Sequence, residues 1–356
     1  MYISLLLRFS VSSRTVILEL DPGIHCYKRG DILNIDEETP YARLDPNLIL
    51  NAIESIGYLC DGRYFALNSY ENRVYQVGIE DKPPLIAKFY RPNRWSYDAI
   101  LEEHQFALDL AAEEIPVVAP IVDSKGKTLH CYEDFLFAVF PRKGGRIIEL
   151  DNLNHLQWMG RFIGRMHAYG KSRTFKHRLE LNIDSYGHKP YEYLIQNNFI
   201  PIELQKNFCL ILESLLEKIA LRFQSVGSIH KIRLHGDCHA SNILWYEDMP
   251  QIVDLDDCLM GPAIQDLWMF LSGDAKLQQL QIDTILTGYT DFNDFDYNEL
   301  PLIEALRSLR MIHYNGWLAK RWKDPAFPLN FPWFNSIAYW QQQLENFQDQ
   351  LILLET

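Results

Sequence analysis

The stretch that decides the fold runs from Arg233 to Asp257, RLHGDCHASNILWYEDMPQIVDLDD. Two β-like runs, Asn242–Trp245 and Gln251–Leu255, flank a turn-like linker at 246–250, which reads as a hairpin. Folded symmetrically about Asp248, the hairpin sets Ile243 opposite Val253 and Asn242 opposite Asp254. Directly opposed residues have Cβ atoms about 4.5–5.5 Å apart. An amide oxygen and a carboxylate then meet at the open end, a pair of hard donors that suits magnesium. Asp237 lies on the loop just before Asn242, at the same end. Phosphoryl transfer needs such a set: one Asp to take the proton of an attacking hydroxyl, and an Asn and a second Asp to hold metal on the phosphates. The bland alternative is a hairpin with a polar rim. A zinc site of His235, Cys238 and His239 is a second alternative, and it lacks a fourth ligand.

Upstream of this stretch the chain changes character near Pro141–Gly145. Before it, Asp45-Pro46 starts a helix with Leu48, Ile49, Ala52, Ile53 and Ile56 on one face and Gly57 as its stop. Strands follow at Tyr64–Leu67, Arg73–Val77 and Pro84–Tyr90, then a helix at Tyr97–Ala112, then a strand pair, Lys127–Tyr132 and Phe135–Phe140, turning at Glu133-Asp134. After Leu150 the pattern is helical: Asn154–Tyr169, Ile202–Gln224, Gln265–Leu271, Lys276–Tyr289, Leu300–Trp322 and Ala338–Leu354. The fold class is α+β in two lobes, a small β-rich one and a larger helical one. The expected divisions are an extension at 1–38, a nucleotide-binding lobe at 39–141, and a lobe at 142–356 with the catalytic loop, magnesium site and acceptor site. The extension holds a short β-like run, Thr15–Leu20, and an acidic stretch, Asp36–Glu38.

Composition narrows the partners. Of 356 residues, 47% are hydrophobic, enough for a packed core rather than a disordered chain. A formal net charge of −13 disfavours nucleic acid or anionic lipid as a partner. Six cysteines without a C-x-x-C pair read as a reduced, cytoplasmic protein. No apolar run approaches a membrane span, and a monomer is expected.

HGDCHASNILW followed by VDLDD resembles the catalytic and magnesium segments of the aminoglycoside phosphotransferase and choline kinase superfamily, which shares the protein-kinase fold. LNSYENRVYQ, AKFYRPNRW, ILEEHQFAL, FAVFPRKGGR, GPAIQDLWM and DPAFPLNFPW, in the same order over roughly residues 38–345, are similar to a branch of bacterial stress response serine/threonine protein kinases. The resemblance implies that Asp237 is the catalytic proton acceptor, Asn242 the second-metal Asn and Asp254 the main magnesium ligand. His235 then matches the His of the kinase HRD motif, with Gly236 in place of its Arg. Asp256 and Asp257 are extra carboxylates that touch metal or substrate, or cap the turn. Lys88, which on its strand alone would snorkel to solvent, becomes the nucleotide lysine. Its carboxylate partner is Glu103, with Glu102 as second choice. The loop over the phosphates, Leu67–Asn72, holds no glycine; Ser69 is assigned to ATP there. The adenine is expected against the connector Val139-Phe140-Pro141. Asp266 is expected to brace the catalytic loop, and the aromatic group Trp317, Trp322, Phe327, Phe331, Trp333 and Trp340 to pack the helical lobe. The implied partners are ATP, with Mg2+, and a protein bearing a serine or threonine hydroxyl, the chain itself included. A small-molecule kinase for an amino alcohol, sugar or aminoglycoside is the alternative, and a pseudokinase binding module the third.

Overall fold

The computed structural model describes residues 38–355. The β-like run at 15–20, Cys26 and residues 36–37 of the acidic stretch lie outside them. Asp45 caps helix α1 (Pro46–Ser55), its carboxylate accepting from the Leu48 amide at 2.8 Å, with proline in the first turn. The apolar face of α1, Leu48, Ile49, Ala52 and Ile53, lies on one side of an antiparallel five-stranded sheet. Its strands are β1 (Cys60–Leu67), β2 (Arg73–Ile79), β3 (Lys82–Phe89), β4 (His130–Tyr132) and β5 (Phe135–Pro141), in the order β1-β2-β3-β5-β4, and α2 (Tyr97–Ala112) joins β3 to β4. Val77, Ile79, Leu85, Ala87, Phe89, Phe135, Phe137 and Val139 complete this core. Ser96 caps α2 by accepting from the Ala99 amide at 3.1 Å.

The second lobe is mainly helical. It comprises β6 (Arg146–Ile147), α3 (Leu153–Gly170), α4 (Lys189–Gln196), α5 (Ile202–Val226), β7 (Ile232–Leu234), β8 (Ile243–Tyr246), β9 (Met249–Ile252), β10 (Leu259–Gly261), α6 (Gln265–Trp268), α7 (Ala275–Tyr289), α8 (Ile303–Arg321), α9 (Ala326–Asn330) and α10 (Ile337–Glu355). Helices α3 and α7 touch through backbone: a Cβ on Gly160 would lie 2.0 Å from the Ile285 carbonyl oxygen, so only glycine admits this approach. The aromatic residues of α8–α10 do pack against one another, with Trp317 5.1 Å from Phe327 and Trp340 5.3 Å from Phe334 by ring centroids. No helix of the described residues is long and apolar enough to cross a membrane.

Several expectations need correction. The helix expected at Leu300–Trp322 is a 3-10 turn, Tyr297–Leu302, followed by α8, because Pro301 cannot continue an α-helix from within. The helix expected to reach Leu271 stops at Trp268. Helices α4 and α9 were not expected. The hairpin register also differs by one: Ile243 pairs with Ile252, Trp245 with Pro250 and Tyr246 with Met249. A two-residue turn, Glu247-Asp248, replaces the symmetric five-residue linker, with Glu247 at φ 52°. Pro250 is tolerated because β9 is an edge strand of the order β6-β8-β9. Asn242 is therefore not a cross-strand partner of Asp254. The Val253 amide donates to the Asn242 carbonyl at 3.0 Å, and the chain leaves the ladder at Asp254, which is left-handed at φ 61°, ψ 68°.

Candidate active site

Lys88 pairs across β3 with Val74 and Ala138, in the middle of the sheet. Its side chain does not snorkel; the residue is 6% exposed. The ammonium lies 3.3 Å from Glu103 Oε1, 3.0 Å from Asp254 Oδ1 and 3.2 Å from Asp256 Oδ1. Glu102, the second choice, instead accepts from the Lys176 and His177 amides at 2.7 and 2.8 Å. Burial alone would depress the Lys88 ammonium, but Asp254, Asp256 and Glu103 hold it well above its ordinary value. Burial pushes Glu103 up to about 7 against the pull of Lys88, with the Asp256 charge adding to the rise. Lys88→Met leaves these carboxylates without their shared cation. It is expected to cost about 3–5 kcal/mol, seen as a lower urea midpoint at unchanged slope; an unchanged midpoint would contradict the charge cluster.

The catalytic-loop segment is held from below. Asp266, fully buried at the start of α6, accepts from the His235 amide at 2.8 Å and the Gly236 amide at 2.9 Å, and faces His167 Nε2 at 3.1 Å. Since a carbonyl only accepts, His235 Nε2 donates to Val253 O at 3.0 Å, which leaves Nδ1 facing the Asp237 amide at 3.4 Å. Gly236 stands where HRD kinases have arginine, and the backbone explains it: φ is +84°, and a Cβ would meet the Asp257 carbonyl oxygen at 2.2 Å. Asp266→Ala strands two buried amides and is expected to lose about 2–5 kcal/mol, measurable as a fall in melting temperature; an unchanged Tm would remove the brace from the account.

Asp237 sits above this brace. Its carboxylate bonds Arg310 of α8 and lies 3.3 Å from His239 Nε2. Burial opposes its charge, but His239 and Arg310 hold the carboxyl well below the usual carboxylate range. Asn242 Nδ2 donates to the Asp237 carbonyl at 3.0 Å, so its Oδ1 is the end left to coordinate. Asp254 keeps a carboxylate that is about half exposed, 52%. Asp254 is left-handed, a conformation that aspartate tolerates and that other turn residues of the described chain share, Glu247 among them. Asp256 and Asp257 are gripped by Arg94, whose Nη2 is 2.5 Å from Asp257 Oδ1. Burial and then Asp256 set the two apart: Asp257 is pushed up to about 6, despite Arg94, whereas Arg94, Lys88 and Arg178 hold Asp256 well below its ordinary value.

Hard oxygen donors at Asn242 Oδ1 and the half-exposed Asp254 carboxylate, with the ionised Asp256 close by, fit a small divalent cation. The zinc alternative does not fit. The His235 ring is committed to Val253, burial raises the Cys238 thiol well above its ordinary value, and the described residues contain no group of three or more His, Cys, Asp or Glu placed to hold a metal.

Other expected contacts land differently. The Ser69 hydroxyl donates to the Asn72 carbonyl at 3.1 Å, closing the loop on itself. Val139 to Pro141 is not a connector but the end of β5, paired with Leu85, Ile86 and Ala87; the Val139 carbonyl accepts from the Ile121 amide at 2.8 Å, and Phe140 packs edge-on against His104. Sequence reasoning missed Arg94 and Arg310. Arg310 meets an aspartate 73 positions away, so no local pattern marks it. Beside Arg310 a cleft of about 480 Å³ opens, walled by Trp268, Met311, Tyr314 and Tyr339.

A family model described as "Phosphotransferase enzyme family" matches residues 65–303. The chain is 44% identical over 315 residues to stress response kinase A of Escherichia coli, covering 88% of this chain and 95% of that protein. It is 43% identical over 319 residues to serine/threonine protein kinase RdoA of Salmonella typhimurium, covering 90% and 96%. Among solved structures, amicoumacin kinase hAmiN in complex with AMP-PNP, Ca2+ and Ami superposes with a TM-score of 0.68 at 22% identity, over 87% of this chain and 94% of that one. Spectinomycin phosphotransferase with ADP and its antibiotic gives 0.59 at 16%, over 82% and 93%. At these identities the structures establish the shared two-lobed kinase-like fold.

Proposed function

The chain belongs to the phosphotransferase enzyme family, and from that membership we propose that it is an ATP- and magnesium-dependent kinase acting on serine or threonine hydroxyls of proteins. One observation carries the reading: Lys88 of the sheet lobe contacts Glu103 of α2 and Asp254 of the helical lobe together. That joins a cation for the phosphates to a carboxylate for their metal across the cleft between the lobes.

In the proposed reaction the acceptor hydroxyl attacks the γ-phosphorus. The bond to the bridging oxygen breaks, ADP leaves, and the hydroxyl proton passes to Asp237 Oδ. His239 and Arg310 keep Asp237 ionised, so its carboxylate is free to accept a hydrogen bond from the acceptor hydroxyl and orient it, although the same neighbours make it a weak base. Asn242 Oδ1 and the Asp254 carboxylate would hold magnesium, which would offset the charge of the phosphates. Lys88 bonds phosphate oxygens. Asp266 fixes the height of the loop under the acceptor.

Relatives with near full-length coverage are named kinases, one of them a serine/threonine protein kinase, which supports a protein acceptor. The small-molecule alternative is favoured by the cleft beside Arg310, large enough for a small alcohol, and by the small-molecule names of the solved neighbours. Incubation with labelled ATP and magnesium, alone and with panels of proteins and small alcohols, separates them. Label on the chain itself or on protein serine and threonine is expected. Label only on a small alcohol would replace the proposal with the alternative.

A further inference from the structure

The β1–β2 loop stands where protein kinases place glycines over the nucleotide phosphates, and Leu67–Asn72 has none. Its backbone shows why none is required. Between Gly62 and Asp81 no residue has a positive φ, so the turn uses conformations open to any side chain.

Contacts with the helical lobe hold this loop instead. The Glu71 carboxylate, 11% exposed, accepts from Arg321 Nε at 3.0 Å and from the Trp317 indole N–H, and lies 2.9 Å from Arg321 Nη2; both partners are on α8. Arg91 Nε lies 3.0 Å from the same carboxylate and Arg94 Nε 3.8 Å. The Tyr70 ring rests 4.8 Å from Phe331. Asn72 accepts from the Arg91 amide at 3.0 Å, and its side chain also interacts with Asp256 beside Lys88. Burial opposes the Glu71 charge, but Arg94, Arg321 and Arg91 outweigh it and keep the carboxyl below its ordinary value. Arg310, which bonds Asp237, lies about three turns earlier on α8. One helix therefore contacts both the catalytic aspartate and the loop.

We infer that Glu71 is a positioning residue for the nucleotide: its clasp on Trp317 and Arg321 fixes the β1–β2 loop over the phosphate site and draws the two lobes together. The inference rests on the reading of the cleft as the ATP site. With the clasp broken, part of the nucleotide's binding energy goes into ordering the loop, so affinity falls. The bound geometry is the same, so turnover at saturation changes little.

The test is a double-mutant cycle of Glu71→Gln and Arg321→Gln, reading KM for ATP, kcat, and calorimetric binding of a non-hydrolysable ATP analogue with magnesium. Each single variant is expected to raise KM and Kd about tenfold, with kcat within about twofold. The double variant should be no weaker than Glu71→Gln alone, because Arg321 acts on the loop through the Glu71 carboxylate. Unchanged KM and Kd with a lowered Tm would reduce the clasp to packing and overturn the inference, and so would additive losses. The binding arm needs no turnover. A wild-type chain that binds no analogue would overturn the reading of the cleft, whereas wild-type binding with unaltered variants overturns the role of Glu71 alone.

Discussion

Asp237→Ala should lower kcat by about 10²–10⁴-fold while the affinity for magnesium nucleotide stays within a few-fold. The expectation follows from what the carboxylate does and does not touch. Its ion-pair partners are Arg310 and His239, whereas Lys88 pairs with Glu103, Asp254 and Asp256. On the proposed mechanism, removing it deprives the hydroxyl of its proton acceptor and leaves the Lys88 cluster in place. Loss of the partner also frees Arg310, whose side chain is 38% exposed and can turn to solvent. Stability should fall by no more than about 1 kcal/mol. Steady-state turnover and nucleotide calorimetry on the same preparation check both halves. Turnover within threefold of wild type would remove Asp237 from the mechanism.

Asp254→Ala has the second large effect and a different signature. Here kcat/KM should fall on the order of 10²–10³-fold, and the gain in nucleotide affinity on adding magnesium should shrink with it. Lys88 retains Glu103 and Asp256, so the core of the sheet lobe stays paired and the melting temperature should barely move. A variant that keeps its full magnesium response would show that Asp254 is an ion-pair partner of Lys88 and nothing more.

These two residues also show what a sequence can and cannot disclose. The nearness of Asp237, Asn242 and Asp254 was legible because their spacing brackets a hairpin, and a hairpin brings its ends together whatever its register. The register itself was not legible. Glu247-Asp248 forms a two-residue turn with Glu247 at positive φ, and no glycine announces it. That slip by one residue moved Asn242 off Asp254, and only the left-handed kink at Asp254 returns its carboxylate to the cleft, beside Lys88. Helix α2 was read to its ends because Ser96 caps it and its apolar face repeats cleanly. Helices α4 and α9 are short and contain prolines, Pro190 and Pro328, so no periodicity had room to emerge. Glu103 was found by its place on a helix following a lysine strand. Glu71, Arg94 and Arg310 were missed because each has a partner in the other lobe or on a distant element, Arg321, Asp257 and Asp237 respectively, where the folded chain decides proximity. The clasp of Glu71 on α8 is the clearest case. As sequence it is one acidic residue in a polar turn, and as structure it ties the two lobes together.

Parallel incubations with ATP labelled at the γ-phosphate and ATP labelled at the α-phosphate test the account most directly, each with magnesium or with chelator and each with the protein panel. Label should reach hydroxyl groups from the γ-position alone, only with magnesium, and about 10²–10⁴-fold more slowly in Asp237→Ala. Label transferred from the α-position, or γ-label transferred equally well under chelator, would contradict the chemistry assigned to Asp237, Asn242 and Asp254.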